Sequence, residues 1–113
     1  MKVKRLFPKT IHRLQFGLRF RKFVPREPGC YVLASFDDHV LYVGLTDNLF
    51  RRFAEHWDTK MKRTPTSVGR AFWFYYLKCA AKDLCRIERT WINQYVELHG
   101  VLPLLNKVNS PVR

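Results

Sequence analysis

The stretch Gly29–Gly44, GCYVLASFDDHVLYVG, decides the fold. Two β-rich runs, Gly29–Phe36 and His39–Gly44, flank Asp37 and Asp38 and read as a tight hairpin. A two-residue loop sets Leu33 opposite Tyr42 and Tyr31 opposite Gly44. Side chains alternate with period two along a strand, so any even-length loop brings both tyrosines to one face, and a three-residue loop separates them.

Downstream, Thr46 or Asp47 is placed to cap a helix running to about Trp57. Leu49, Phe53 and Trp57 form its apolar stripe, widened by Phe50 and Ala54, while Asn48, Arg52 and His56 recur every four residues on another flank. Residues 58–70 are polar and basic around Pro65 and Gly69 and read as a loop. Ala71–Cys79 follows as an aromatic strand; its run Phe72–Tyr76 reads as core, with a faint likeness to the base-stacking strand of an RNA-recognition module. Lys82–His99 carries Leu84, Ile87, Trp91, Tyr95 and Leu98 at helical spacing. A tail after Gly100 contains Pro103 and Asn106. The order strand, strand, helix, strand, helix indicates a small α/β domain, 29–113, on an antiparallel or mixed sheet. Upstream, residues 1–28 form a basic arm ending at Pro25 and Pro28. Within it Leu14, Phe16, Leu18 and Phe20 alternate as in a strand, Ile11, Leu14 and Leu18 fit a helix, and Gly17 weakens both.

At 113 residues the chain suffices for one core without disulfides. Its net charge of +12 is concentrated at one end: residues 1–28 hold nine of the 21 Lys/Arg and one of the nine acids. That balance favours a polyanion, either nucleic acid or an anionic membrane surface. No apolar run approaches the ~20 residues of a membrane span. The N-terminus has no hydrophobic signal region and reads as part of the mature protein. Three cysteines, Cys30, Cys79 and Cys85, complete no zinc pattern and read as reduced, buried thiols of a cytoplasmic protein.

Glu88 stands out. It borders the apolar stripe of its helix with Leu84, Trp91 and Ile92 as its three- and four-residue neighbours, and none of these is a cation. A carboxylate there is costly unless it leans out to water or is met by a metal, an arginine or a donor network from elsewhere.

Taken in order, Gly29-Cys30-Tyr31, Tyr42-Val43-Gly44, Arg52, His56, Glu88 and Asn106 resemble the GIY-YIG nuclease family, over most of the chain from Pro28 to about Lys107. The resemblance implies a three-stranded antiparallel sheet flanked by helices, and a phosphodiesterase acting on DNA with Mg²⁺ or Mn²⁺. It implies that Tyr31 and Tyr42 surround the attacking water, Arg52 holds the scissile phosphate, and Glu88 binds the cation. Asn106 would steady the phosphate side or the glutamate, and His56 would take part in proton transfer. These residue types suit the reaction, which needs charge neutralisation on phosphate oxygens, an activated water and a protonated leaving oxygen. Gly44 leaves room for a phosphate backbone near Tyr31. Two departures stand out: Cys30 where isoleucine is usual, and Leu45 where some relatives carry a lysine, so the general base is left among Tyr31, Tyr42 and His56.

Each residue alone has a plainer reading, as strand aromatic, solvated helix flank or turn residue; the ordered set is what those readings leave unexplained. Arg19, Arg21 and Lys22 of the arm, with Lys60, Lys62, Arg63 and Arg70 of the 58–70 segment, are the candidate grips on DNA. Target recognition would be weak or come from a specificity-providing protein, and a double-strand break would need a homodimer or two visits. The rival reading is a non-catalytic nucleic-acid-binding module using the arm and the aromatic strand; a lipid-docking domain would account for the charge and not for the hairpin. If about six basic residues each neutralise a phosphate, duplex affinity should fall with salt at a log–log slope of roughly −5. Titrations from low to high salt check this, and a flat dependence would remove the arm as the grip.

Overall fold

Residues 1–107 are described by a computed structural model. The hairpin forms with the expected register through an unexpected turn. Strands β2 (Gly29–Ala34) and β3 (Val40–Thr46) are antiparallel, with Tyr31 opposite Gly44 and Leu33 opposite Tyr42. At the turn the Asp38 N–H donates to the Ser35 carbonyl (2.9 Å) and the Ser35 N–H to the His39 carbonyl (3.0 Å), so three residues rather than two form the loop. Asp38 supplies the left-handed conformation this turn needs, at φ 68°. An odd loop alone would send the tyrosines to opposite faces. A bulge cancels that effect: Ala34 pairs with Val40, the register then shifts, and Leu41 is the extra residue. Tyr31, Leu33, Leu41 and Tyr42 thereby share one cluster, and Cys30, Val32, Ala34, Val40 and Val43 the other.

Strand β4 (Trp73–Lys78) pairs with the free edge of β2, and β1 (His12–Gln15) pairs with β4. The sheet is β1-β4-β2-β3, all antiparallel, with four strands where the family resemblance implied three. The fourth comes from the basic N-terminal segment, where Leu14 sits opposite Phe74 and packs on the same cluster as buried Phe16. The strand stops before Gly17, and Leu18–Phe23 turns into a short 3₁₀ helix, so Leu18 and Phe20 do not continue the alternation. The same segment also reaches the other face. Val3 and Leu6 are buried there, the Gln94 amide holds both the N–H and the carbonyl of Phe7 (3.0 and 2.7 Å), and the Trp91 indole donates to the Pro8 carbonyl (2.8 Å).

Helix α1 (Leu49–Asp58) is capped by Asn48 rather than by Thr46 or Asp47: the Asn48 side chain accepts from the Arg51 N–H (3.1 Å), while Thr46 Oγ1 accepts from the Asn48 N–H (3.0 Å). Residues 58–70, expected as a loop, contain one short helical turn, α2 (Lys60–Arg63). Helix α3 (Leu84–His99) ends at Gly100, whose φ of 74° suits glycine, and α4 (Leu104–Lys107) follows. α3 covers one face of the sheet through Leu84, Ile87, Trp91 and Tyr95; Leu49 and Phe53 of α1 and Leu105 of α4 cover the other. Of the three thiols Cys30 alone is buried, and Cys85 is exposed. The last six residues of the expected 29–113 domain lie outside the described residues. Among the described residues no helix is long and apolar enough to cross a membrane.

Leu6 is 0% exposed. Leu6→Ala should therefore cost about 2–5 kcal/mol, read as a lower urea midpoint at unchanged slope; a loss within experimental error would mean that the N-terminal segment does not bear on the core.

Candidate active site

Gly44 organises the site by what it lacks. A Cβ there would lie 2.5 Å from the Tyr31 hydroxyl oxygen, 2.6 Å from Tyr31 Cζ and 2.8 Å from Tyr42 Cε1. Tyr31 lies across its cross-strand partner, so the room expected at Gly44 for a phosphate backbone is taken by the Tyr31 phenol itself. The Tyr31 ring stacks between Tyr42 (centroids 6.0 Å apart) and Phe74 (5.3 Å). It is 0% exposed, and its hydroxyl is 2.5 Å from His56 Nε2, with the donor set by the imidazole tautomer.

Helix α1 brings Arg52 and His56 to this face one turn apart. His56 is 6% exposed, edge-on to Tyr42 at 4.9 Å and tilted against Tyr31 at 5.3 Å. Burial first, then the charges of Lys62 and Arg52, push its pKa down to about 3, so the imidazole is neutral around pH 7. Arg52 donates from Nη1 to Glu55 Oε1 at 3.1 Å. Its Nε is buried without a hydrogen-bond partner among the described residues. Burial disfavours the Arg52 charge, but the neighbouring Tyr31, Glu55 and Tyr42 favour it more, and its pKa is raised.

Lys62 is the residue whose place the sequence did not disclose. It was expected on a solvated loop gripping DNA; the α2 turn instead buries it to 4% exposure, with Nζ 4.5 Å from the centre of the Tyr42 ring. A cation thus stands beside Tyr42 although Leu45, not lysine, follows Gly44 in sequence. Its only sequence signal is that it lies six residues beyond His56, across a chain reversal that a single sequence does not announce.

Asn106 commits both ends of its amide to one residue. Val43 N–H donates to Oδ1, and Nδ2 donates to the Val43 carbonyl, each at 2.9 Å. β3 is an edge strand, so this clasp satisfies backbone groups between Tyr42 and Gly44 that no neighbouring strand meets. Glu88 is 7% exposed and comes from the other layer, on α3, which packs on β3 and β2. The structure thus joins Tyr31, Tyr42, Arg52, His56 and Lys62 in one cluster, fastens Asn106 to its edge strand, and places Glu88 on α3, the helix that covers the other face of the sheet. The remaining candidate grips, Arg19, Arg21, Lys22, Lys60, Arg63 and Arg70, are all exposed, the first three on the 3₁₀ turn packed against α1.

Among the described residues no group of three or more His, Cys, Asp or Glu is placed to hold a metal ion. A single buried carboxylate nevertheless fits Mg²⁺, which keeps several waters and takes one or two protein carboxylates together with substrate phosphate. It does not fit a fully protein-ligated ion such as structural zinc. Two phenols, a neutral imidazole, two cations and a buried carboxylate can bind an anionic oxygen and move protons beside it.

Residues 27–98 match the family model described as the GIY-YIG catalytic domain. The chain is also similar to the UvrABC system protein C of Mesoplasma florum, with 31% identity over 81 residues, which is 70% of this chain and 14% of that relative. The chain therefore spans a small part of the relative it matches.

The buried imidazole has a stability signature. The unfolded chain binds a proton at His56 below about pH 6.5, while the folded chain does so only near 3. Stability should therefore fall as pH drops through that window, by up to about 1.4 kcal/mol per pH unit. Urea denaturation of wild type and His56→Gln from pH 7.5 to 4 should show a difference that is constant above 6.5 and moves against wild type below it; a constant difference throughout would mean an ordinary imidazole.

Proposed function

The chain belongs to the GIY-YIG family, and from that premise we propose that it is a metal-dependent DNA endonuclease hydrolysing phosphodiester bonds at a single active site. The observation that carries the phosphate is the Arg52 guanidinium, half-buried beside two phenols with an Nε–H that no protein acceptor meets among the described residues. Glu55 already meets Nη1 at 3.1 Å, and the buried Nε–H calls for a further acceptor. A non-bridging phosphate oxygen supplies one.

Proton transfer then runs through Tyr31 and His56. With Nε2 as acceptor, the Tyr31 hydroxyl donates to it across 2.5 Å, and the attacking water passes its proton to the phenol as the phenol passes its own to the ring. The imidazole is a weak base because it is buried and because the charges of Lys62 and Arg52 disfavour its own. A bound phosphate offsets that charge, so the base strengthens when substrate arrives. Tyr42, with the Lys62 ammonium over its ring, is the second proton carrier, on the side of the leaving oxygen. Glu88 would hold the Mg²⁺ or Mn²⁺, which when bound supplies Lewis-acid stabilisation of the phosphate. Asn106 acts by position, fixing the strand between Tyr42 and Gly44.

The exposed cations on both sides of α1 are read as grips on flanking phosphates. The relative's name places that protein in a UvrABC system, which supports a protein partner that supplies target recognition; a second copy of the chain would be needed only to cut both strands in one visit. Free thiols suit a reducing cytoplasm.

Supercoiled plasmid and labelled branched DNA incubated with Mg²⁺, Mn²⁺ or EDTA test the proposal. Wild type should nick only with metal, Glu88→Ala should abolish nicking, and Arg52→Ala should slow it by about 10²–10³-fold. Salt-sensitive binding with no cleavage, unchanged by Glu88→Ala, would instead identify a nucleic-acid-binding module.

A further inference from the structure

Beside the catalytic cluster lies a second cavity, of about 350 Å³, that takes no part in the chemistry above. It is lined by Gln15 and Phe16 at the end of β1, Trp57 at the end of α1, Arg63 on α2, and Arg70 and Phe72 leading into β4. Two consecutive residue pairs connect it to the active site. His56 faces Tyr31 while Trp57 faces this cavity, and Lys62 lies over Tyr42 while Arg63 lies over the Trp57 ring, its guanidinium carbon 5.3 Å from the centroid. Consecutive residues of α1 and of α2 thus line the two sites, which adjoin along both elements.

The lining has the chemistry of a nucleotide. Trp57 and Phe72 are half-buried aromatic rings at a cavity wall, and Phe16 holds Trp57 edge-on at 5.4 Å. Flat rings of this kind stack on the face of a base. Gln15 adds an amide with both donor and acceptor groups, the equipment for a base edge. Arg63 and Arg70 are exposed at the rim, and neither belongs to an ion pair among the described residues. Bases stacked in a duplex offer edges and no faces, so only an unpaired nucleotide can use such walls.

We propose that this cavity binds one unpaired nucleobase next to the scissile phosphate, with Arg63 and Arg70 on its flanking phosphates. The substrate class is then DNA with an unpaired nucleotide at the cut: a bulge, a flap or a branch. This rests on the nuclease reading for the neighbouring phosphate site, but it is read by binding and not by cleavage.

The test uses the full chain in EDTA and two labelled duplexes that differ only by one bulged nucleotide, 2-aminopurine. Anisotropy gives both affinities, and quenching of the 2-aminopurine reports stacking. Wild type should prefer the bulged duplex by about tenfold, the order of one base stacked on an aromatic ring, and should quench the probe. Phe72→Ala and Arg70→Ala should each shrink the ratio between the two duplexes. Equal affinities in wild type, or a ratio that survives Phe72→Ala with unchanged circular dichroism, would overturn the assignment. Should Phe72→Ala not fold, the exposed Arg70 decides: equal weakening on both duplexes makes it a plain phosphate grip and also overturns the assignment. Failure of the nuclease reading is seen separately, as wild type that nicks no DNA with either metal.

Discussion

The buried hydroxyl of Tyr31 is the constraint around which the rest of the structure is arranged. A phenol with no exposure must hydrogen-bond or forfeit the free energy of its lost water. It therefore requires an acceptor or donor at a fixed place, and His56 provides one at 2.5 Å. That fixes the rotation of α1 about its axis, because the helix must present His56 inward while Leu49 and Phe53 fill the core beneath it. It also fixes the residue across the hairpin: with Tyr31 lying over position 44, any side chain there would collide with it. The bulge at Leu41 then becomes necessary, since the three-residue turn would otherwise bring Val43 rather than Gly44 opposite Tyr31. One buried hydroxyl thus ties together the turn, the bulge, the glycine and the helix.

Electrostatics add a second layer. Lys62 and Arg52 stand close enough to His56 to help burial keep it neutral. The Arg52 charge is itself favoured by Tyr31, Glu55 and Tyr42, so the cost of the arrangement falls on the imidazole. In the proposed reaction a phosphate would offset the charge that faces the ring and so help it to accept a proton. The apolar packing of Tyr31, Phe74, Phe53 and Phe16 behind the site raises the strength of these charge effects by keeping water away.

The parts of this arrangement that were legible in sequence are those governed by local periodicity. Four-residue spacing placed Arg52 and His56 on one helical flank, whereas the pairing of Tyr31 with Gly44 was expected from a two-residue loop and is reached through a three-residue turn and a bulge. The position of Glu88 beside an apolar stripe left it either leaning out to water or buried against a partner, and it is buried. The illegible parts depend on contacts distant in sequence. β1 is four residues long and is a strand because β4 offers it an edge and Leu14 a neighbour in Phe74; its own sequence fits a helix equally well. Lys62 reads as one more cation in a basic run, and only the α2 reversal turns it under Tyr42. The helix cap moved to Asn48 because Thr46 is still the last residue of β3 and spends its hydroxyl on Asn48 itself.

The same reversal makes neighbours of the proposed catalytic cluster and the proposed base cavity. α1 ends at Asp58 and α2 begins at Lys60, so the chain folds back within two residues. Each of the two short segments then offers alternate side chains to two different spaces. His56 and Lys62 turn toward the phenols, where burial and charge hold the imidazole neutral; Trp57 and Arg63 turn toward the cavity at the end of β1, where the exposed Arg63 guanidinium lies over the half-buried Trp57 ring. A base held in that cavity would be connected to its phosphate by the nucleotide's own covalent frame. Discrimination by stacking would thereby become positioning at Arg52, because helical elements carry both contacts.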